Sequence, residues 1–256
     1  MSTGAGSFAY AQARLQARIG MRAGPADLQR ARSTRDFTAF LQLVRSTPQA
    51  RYVARLAPGM NPHELERRLR DEWQTAVEEV ARWQPAAWQD TVRWLRWLPY
   101  LAALEKLARG GRAPAWTRMD PVLGRIVAME PGTRAESLTG TPLQPLQAAM
   151  QAEGGIVAAW LQHWRSLWAA NATAAAGLER IAREVEALDA LLRAAPPSAA
   201  SDEMQAALAQ RLLRVFRRNP LSPAAAVAFL GLEALDMLAL RGAVLMRAVL
   251  APGAAA

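Results

Sequence analysis

The sequence predicts an all-α protein, and three observations carry that prediction. Apolar residues recur at helical spacing from end to end, Asn-Pro and Ser-Pro helix-start signals precede several of these tracts, and alternating strand patterns are nearly missing. The tracts follow one another as a succession of helical hairpins without a sharp internal repeat.

The first tract, "FAYAQARLQARIGMR" at 8–22, sets Arg14, Arg18 and Arg22 beside an apolar edge of Phe8, Ala11, Leu15 and Ile19, which makes a basic amphipathic helix. Gly24–Pro25 stops it. Ser33 with Asp36 forms a capping box ahead of Phe37, Phe40, Leu41 and Val44. In "NPHELERRLRDEW", Asn61 is the N-cap, Pro62 takes the first helical position and Glu64 meets the positive end of the helix dipole. Leu65, Leu69, Trp73, Ala76, Val77 and Val80 form one buried face, so this helix runs to about Trp83. Pro85 opens the next element, carrying Trp88, Trp94 and Trp97, and "ARGGRAP" at 108–114 closes it.

Three prolines and two glycines in 131–145 mark a connecting loop, which divides an N-terminal part, 1–130, from a C-terminal part, 146–256, unless the two behave as one continuous helical unit. Trp160, Trp164 and Trp168 then stand at i, i+4 and i+8, and Leu178, Ile181, Val185, Leu188 and Leu192 continue a helical face. This tryptophan stripe reads as core more than as a stacking platform for bases, because stacking aromatics usually lie on an open sheet. After a second break at 194–203, the last helix starts at Ser222 and Pro223 and runs toward Leu250.

Composition bounds the chemistry. A chain of 256 residues can bury roughly three quarters of its unfolded surface without staples. The absence of cysteine excludes disulfides and thiol catalysis and points to the cytoplasm. Gln12, Arg14, Gln16 and Arg18 break up any secretory core, and Glu233, Asp236, Arg241 and Arg247 interrupt the most apolar region, so no membrane span is expected. The net charge is +9, and Lys106 is the sole lysine beside thirty arginines. The Arg-over-Lys choice fits a GC-rich genome, but the charge itself calls for an acidic partner.

No constellation for catalysis or metal binding emerges. His63 and His163 lack a carboxylate at a metal-ligand offset. The pairs Asp71–Glu72, Glu78–Glu79 and Asp202–Glu203 are sequence neighbours and point about 100° apart on a helix. Phosphate-binding glycine loops and the Asp-Asp-x-x-Asp clusters of terpenoid synthases are missing. The cations are spread too evenly for a single recognition helix.

Phe8, Ala9, Tyr10, Ala13 and Arg14 match an aromatic-Ala-Tyr-x-x-Ala-Arg opening. Asn219, Pro220, Leu221, Ala228, Phe229, Asp236, Leu240 and Arg241 match a closing helix that begins with an Asp/Asn-Pro-Leu turn and ends in Leu-Arg. Leu95, Arg96, Leu104, Leu107 and Arg109 echo a central helix. Together these tracts resemble the C-subunit family of rotary V/A-type ATPases, whose eukaryotic V-ATPase members are called d-subunits. Glu233, Ala234, Leu235 and Asp236 stand where the family carries Lys-Glu-x-Glu, and Tyr100 and Ala103 where it carries Asp and Asn.

The resemblance implies a shortened, funnel-like subunit of two or three helical lobes that couples the central shaft to the membrane rotor ring during proton or sodium transport. It implies no catalysis, no cofactor, no metal and no small-molecule substrate. The partners are rotor-ring and shaft subunits, with peripheral contact on the cytoplasmic face of the inner membrane. Tyr10, Arg14, Arg18, Arg22, Asp236 and Arg241 are the expected partner-facing residues. Asp236 and Arg241 lie roughly 140° apart on the last helix and cannot pair with each other, so each needs a partner elsewhere. The alternative is a basic helical nucleic-acid-binding protein, whose affinity would fall steeply with salt.

Overall fold

A computed structural model describes residues 5–22, 30, 33–152, 155–194 and 202–250. Among them the regular structure is α-helix and 3-10 helix, with no strand. The breaks expected at Gly24–Pro25 and within 195–201, and the side chain of Leu192, lie outside the described residues.

Helix α1 (Ala5–Gly20) buries Phe8, Ala11 and Leu15. Helix α2 (Phe37–Arg45) is capped by Asp36 alone, whose carboxylate accepts the Ala39 N–H at 2.7 Å. The capping box is thereby corrected: the Ser33 hydroxyl donates back to the Arg30 carbonyl instead of entering the helix start. After the short α3 (Ala50–Val53) comes α4 (Pro62–Trp83), with Asn61 accepting from the Glu64 N–H at 2.9 Å.

Helix α5 (Ala86–Arg93) leads through a 3-10 segment, Trp94–Tyr100, that contains Pro99, into α6 (Leu101–Ala108). Helices α7 (Leu123–Val127) and α8 (Gln147–Gln151) are short. Between them, 131–145 is folded into tight 3-10 turns whose Ala135, Leu138 and Leu143 are buried, so this proline-rich stretch contributes to the core. Four longer elements close the chain: α9 (Ile156–Ser166), α10 (Ala172–Ala194), α11 (Asp202–Arg218) and α12 (Pro223–Leu250).

One hydrophobic cluster runs from Phe8 to Ala248. Helix α12 lies at its centre and packs on α1, α2, α4, α5, α10 and α11. Every residue from Pro223 to Leu230 is buried, which is why this helix is apolar all round. Its length and composition would suffice to cross a membrane, which amends the sequence expectation, but 72% of its most apolar window is buried within the protein. Close approach requires small residues here. A Cβ on Gly177 of α10 would fall 2.8 Å from the Ala224 Cβ and from the Asn219 Oδ1.

The tryptophan stripe is core. Trp160 and Trp164 are almost fully buried, Trp160 stacks on Trp94, and Trp168 meets Trp164 edge-on at 5.2 Å. The Trp164 indole donates to the Thr91 carbonyl at 2.8 Å, and the Thr91 hydroxyl donates to the Leu167 carbonyl at 2.7 Å. These reciprocal bonds stitch α5 to α9.

Two glycines in helix interiors should respond oppositely to alanine. Gly242→Ala on α12, where nothing lies within 4 Å, should stabilise by about 0.5–1 kcal/mol through the unfolded state. Gly177→Ala should destabilise by about 1–3 kcal/mol through overpacking. Urea unfolding of the two variants reads the difference directly.

Candidate functional site

The basic edge of α1 faces α3, α4 and α12, and this determines where its charges go. Arg14 holds its guanidinium over the rings of Tyr10 and Trp83, at 5.7 and 5.1 Å. One turn on, Arg18 lies 5.4 Å from the same Trp83 ring and donates to Glu79 at 2.6 Å. Arg22 closes a two-pronged bond on Asp236, with Nε and Nη2 each 2.7 Å from a carboxylate oxygen. Such a fork is the strongest geometry available to an arginine–carboxylate pair.

Arg51 on α3 extends the network by donating to Glu233 and, at 2.7 Å, to the Tyr52 hydroxyl. The Tyr52 hydroxyl in turn donates to Glu233. Burial pushes the Tyr52 phenol up to about 12, against the opposing pull of the Arg51 charge, so it stays a neutral donor. Burial likewise lowers Arg51 from its ordinary value. The cleft between these helices encloses about 610 Å³ and is lined by Arg18, Met21, Arg22, Arg51, Tyr52 and Asp236. Three arginines, 18, 22 and 51, face three acids, Glu79, Glu233 and Asp236, so the cleft is electrically balanced.

A second network lies deeper. Glu66, only 3% exposed, receives Arg241 of α12 through Nε at 2.7 Å and Nη2 at 2.6 Å, and Arg70 at 3.0 Å. Burial alone would raise the Glu66 carboxyl; the hydrogen bond from Arg241 and the Arg70 charge overcome that and hold it below the usual range. The Arg70 guanidinium sits 3.5 Å from the Trp116 ring centroid. The Tyr100 hydroxyl accepts from Gln74 at 2.6 Å and donates to Asp120 at 2.9 Å, whose other oxygen caps the backbone N–H groups of Val122 and Leu123.

The expected partner residues therefore divide. Arg18, Arg22, Asp236 and Arg241 are engaged inside the molecule, and Arg22 and Asp236 are each other's partner. Tyr10 is 59% exposed, and Arg14 has only aromatic faces for company, with no acidic partner among the described residues. Glu66 and Arg70 went unread, although the signal was present: both fall on the phase of Trp73 and Val77, where an apolar residue belongs. Arg51 and Glu233 offered no comparable cue.

The paired acids separate as their spacing requires. Glu78 takes Arg82, Arg93 and Arg96, while Glu79 turns to Arg18 and Arg51. His163 packs edge-on against Trp94 at 4.5 Å, and burial lowers its pKa. Among the described residues no group of three His, Cys, Asp or Glu converges on a point that could hold a metal. Comparison with protein families, with curated proteins and with solved structures finds no match for the chain.

The depressed Glu66 carboxyl fixes the sign of a pH effect. Because its folded value lies below the unfolded one, its contribution is complete above about pH 4.5 and is lost as the pH falls through the folded value. Glu66→Gln strands the buried Arg70 guanidinium and leaves the half-exposed Arg241 without its acid, and should lower stability near neutral pH by about 2 kcal/mol. The gap between wild type and variant should shrink as the pH drops below 4.5. Unfolding curves recorded between neutral and acid pH measure it.

Proposed function

We propose that the chain is a non-catalytic coupling subunit of a V/A-type rotary ATPase, a helical adaptor between the central shaft and the membrane rotor ring. One observation carries the reading: the two terminal tracts that resemble the C-subunit family are physically joined. The Leu221 N–H of the closing Asn-Pro-Leu turn donates to Gln12 of the opening helix at 3.1 Å, and Arg22 forks onto Asp236. A coupling subunit of this kind would need its opening and closing tracts to act as one packed unit, and their direct contact supports the reading.

On this reading the working surface is the outward edge of α1. Tyr10 and Met21 are exposed there, and Arg14 keeps a charge without an acidic partner among the described residues. An aromatic and a guanidinium on the first turns of one helix, with a thioether just past its end, suit a protein partner with acidic groups at its rim. The subunit would then be held at the cytoplasmic face of the inner membrane through its complex.

Affinity purification of the tagged chain from detergent-solubilised membranes of its own host should recover rotor-ring and shaft subunits. Arg14→Gln should reduce that recovery about tenfold while costing the purified chain no more than about 1 kcal/mol of stability, the worth of its contact with the Trp83 ring. Recovery without any ATPase subunit would overturn the reading. Retardation of duplex DNA that weakens steeply with salt would favour the nucleic-acid alternative in its place.

A further inference from the structure

Most arginines of this chain are held by acids, so the informative ones are those left over. Four of them gather at one end of the α10–α11 hairpin. Arg214, Arg217 and Arg218 are exposed in the last two turns of α11. Arg180 is exposed on α10, and two contacts fix its height relative to them. Arg211 bridges to Glu184 at 2.8 Å, and Gly177 lies against Asn219, so the helices run antiparallel and Arg180 comes level with Arg214 and Arg218. None of the four has an acidic partner among the described residues. The nearby Glu184 is taken by Arg211, and Glu179 by Arg165 and Arg183.

The tip of this end carries an apolar side chain. Leu221 is 41% exposed and adopts a left-handed backbone with φ 54°, the one described residue other than glycine to do so. A non-glycine residue there costs roughly 1–2 kcal/mol. The conformation is held by the bond from its N–H to the buried Gln12 side chain. The molecule thus spends stability to keep a leucine at a corner framed by unpaired guanidinium groups. A nucleic-acid surface would favour an aromatic ring at such a place, since bases stack. A leucine suits acyl chains.

We propose that this end of α10–α11 is an anionic-lipid contact, in which Arg180, Arg214, Arg217 and Arg218 engage headgroup phosphates and Leu221 inserts at the boundary with the acyl chains. Arginine forks match phosphate oxygens, and the several charges act together on a surface potential that a single one would barely feel. One apolar side chain adds a shallow anchor, so binding is reversible and sensitive to salt. The inference does not depend on the coupling-subunit reading, because it concerns the purified chain on its own.

The test is co-sedimentation of the full chain with phosphatidylcholine vesicles, with and without phosphatidylglycerol. Wild type should bind the phosphatidylglycerol vesicles, ignore the neutral ones, and dissociate as salt rises. Replacing Arg180, Arg214, Arg217 and Arg218 together by Gln should cut partitioning on the order of 100-fold. Leu221→Gly should cut it several-fold while keeping or raising the thermal midpoint, since glycine accepts φ 54° freely. Equal binding to neutral vesicles, no binding to anionic ones, or undiminished binding by the four-fold variant would overturn the proposal. Retardation of duplex DNA by those same arginines, without vesicle binding, would reassign the surface to a nucleic-acid backbone.

Discussion

The structure depends on one constraint: a helix apolar enough to sit at the centre of the protein carries four charges, of which Arg247, near its end, donates to the Thr34 carbonyl and lies over the Phe40 ring, while the other three each meet an opposite charge in the elements packed against the helix. Glu233, Asp236 and Arg241 of α12 meet Arg51 of α3, Arg22 just beyond α1, and Glu66 of α4. An isolated buried charge costs several kcal/mol, so a packing that shifted α1 or α4 by one turn would leave a charge stranded. The apolar contacts supply most of the driving force, whereas the ion pairs select which arrangement of the same apolar faces is kept. That division explains why the pairs are long-range: Arg22 and Asp236 lie at opposite ends of the sequence.

Much of this was legible in advance. Helix α4 could be read nearly residue by residue, because Asn61, Pro62 and Glu64 act on the local backbone and need nothing from the rest of the fold. Spacing on one helix likewise marks Trp160 and Trp164 of α9 as core. What escaped was the pairing. Spacing excluded an Asp236–Arg241 bond, since both lie on one helix, but the choice of Arg22 and Glu66 as their actual partners is made by tertiary packing. The stretch 131–145 escaped too: its prolines and glycines signalled irregular backbone correctly, while Leu138 and Leu143, brought inward by its turns, carry it into the core.

The arginine excess takes on a different meaning once the pairs are placed. The stripe on α1 looked like one surface awaiting one partner. In the fold it is graded, from Arg14 lying on aromatic rings, through Arg18 on Glu79, to Arg22 locked on Asp236. Only its first turns remain available to another molecule. Part of the uncompensated charge lies elsewhere, with Arg180, Arg214, Arg217 and Arg218 at the far end of α10 and α11, opposite the acidic start of α11. Ion pairs hold arginines beside the core, such as Arg22 and Arg70, and also exposed ones, such as Arg82 and Arg211. Glu233 and Asp236 are the interior acids that hold Arg51 and Arg22.

The most direct test of this account is a charge exchange across the Arg22–Asp236 contact. Arg22→Asp alone and Asp236→Arg alone should each lower unfolding stability by about 3 kcal/mol or more, because each sets like charges together beside the core. The double exchange should recover at least half of the summed loss and restore hydrogen-exchange protection to α1. If the two losses simply add, the pair does not hold the opening helix against the closing one, and the central claim is wrong.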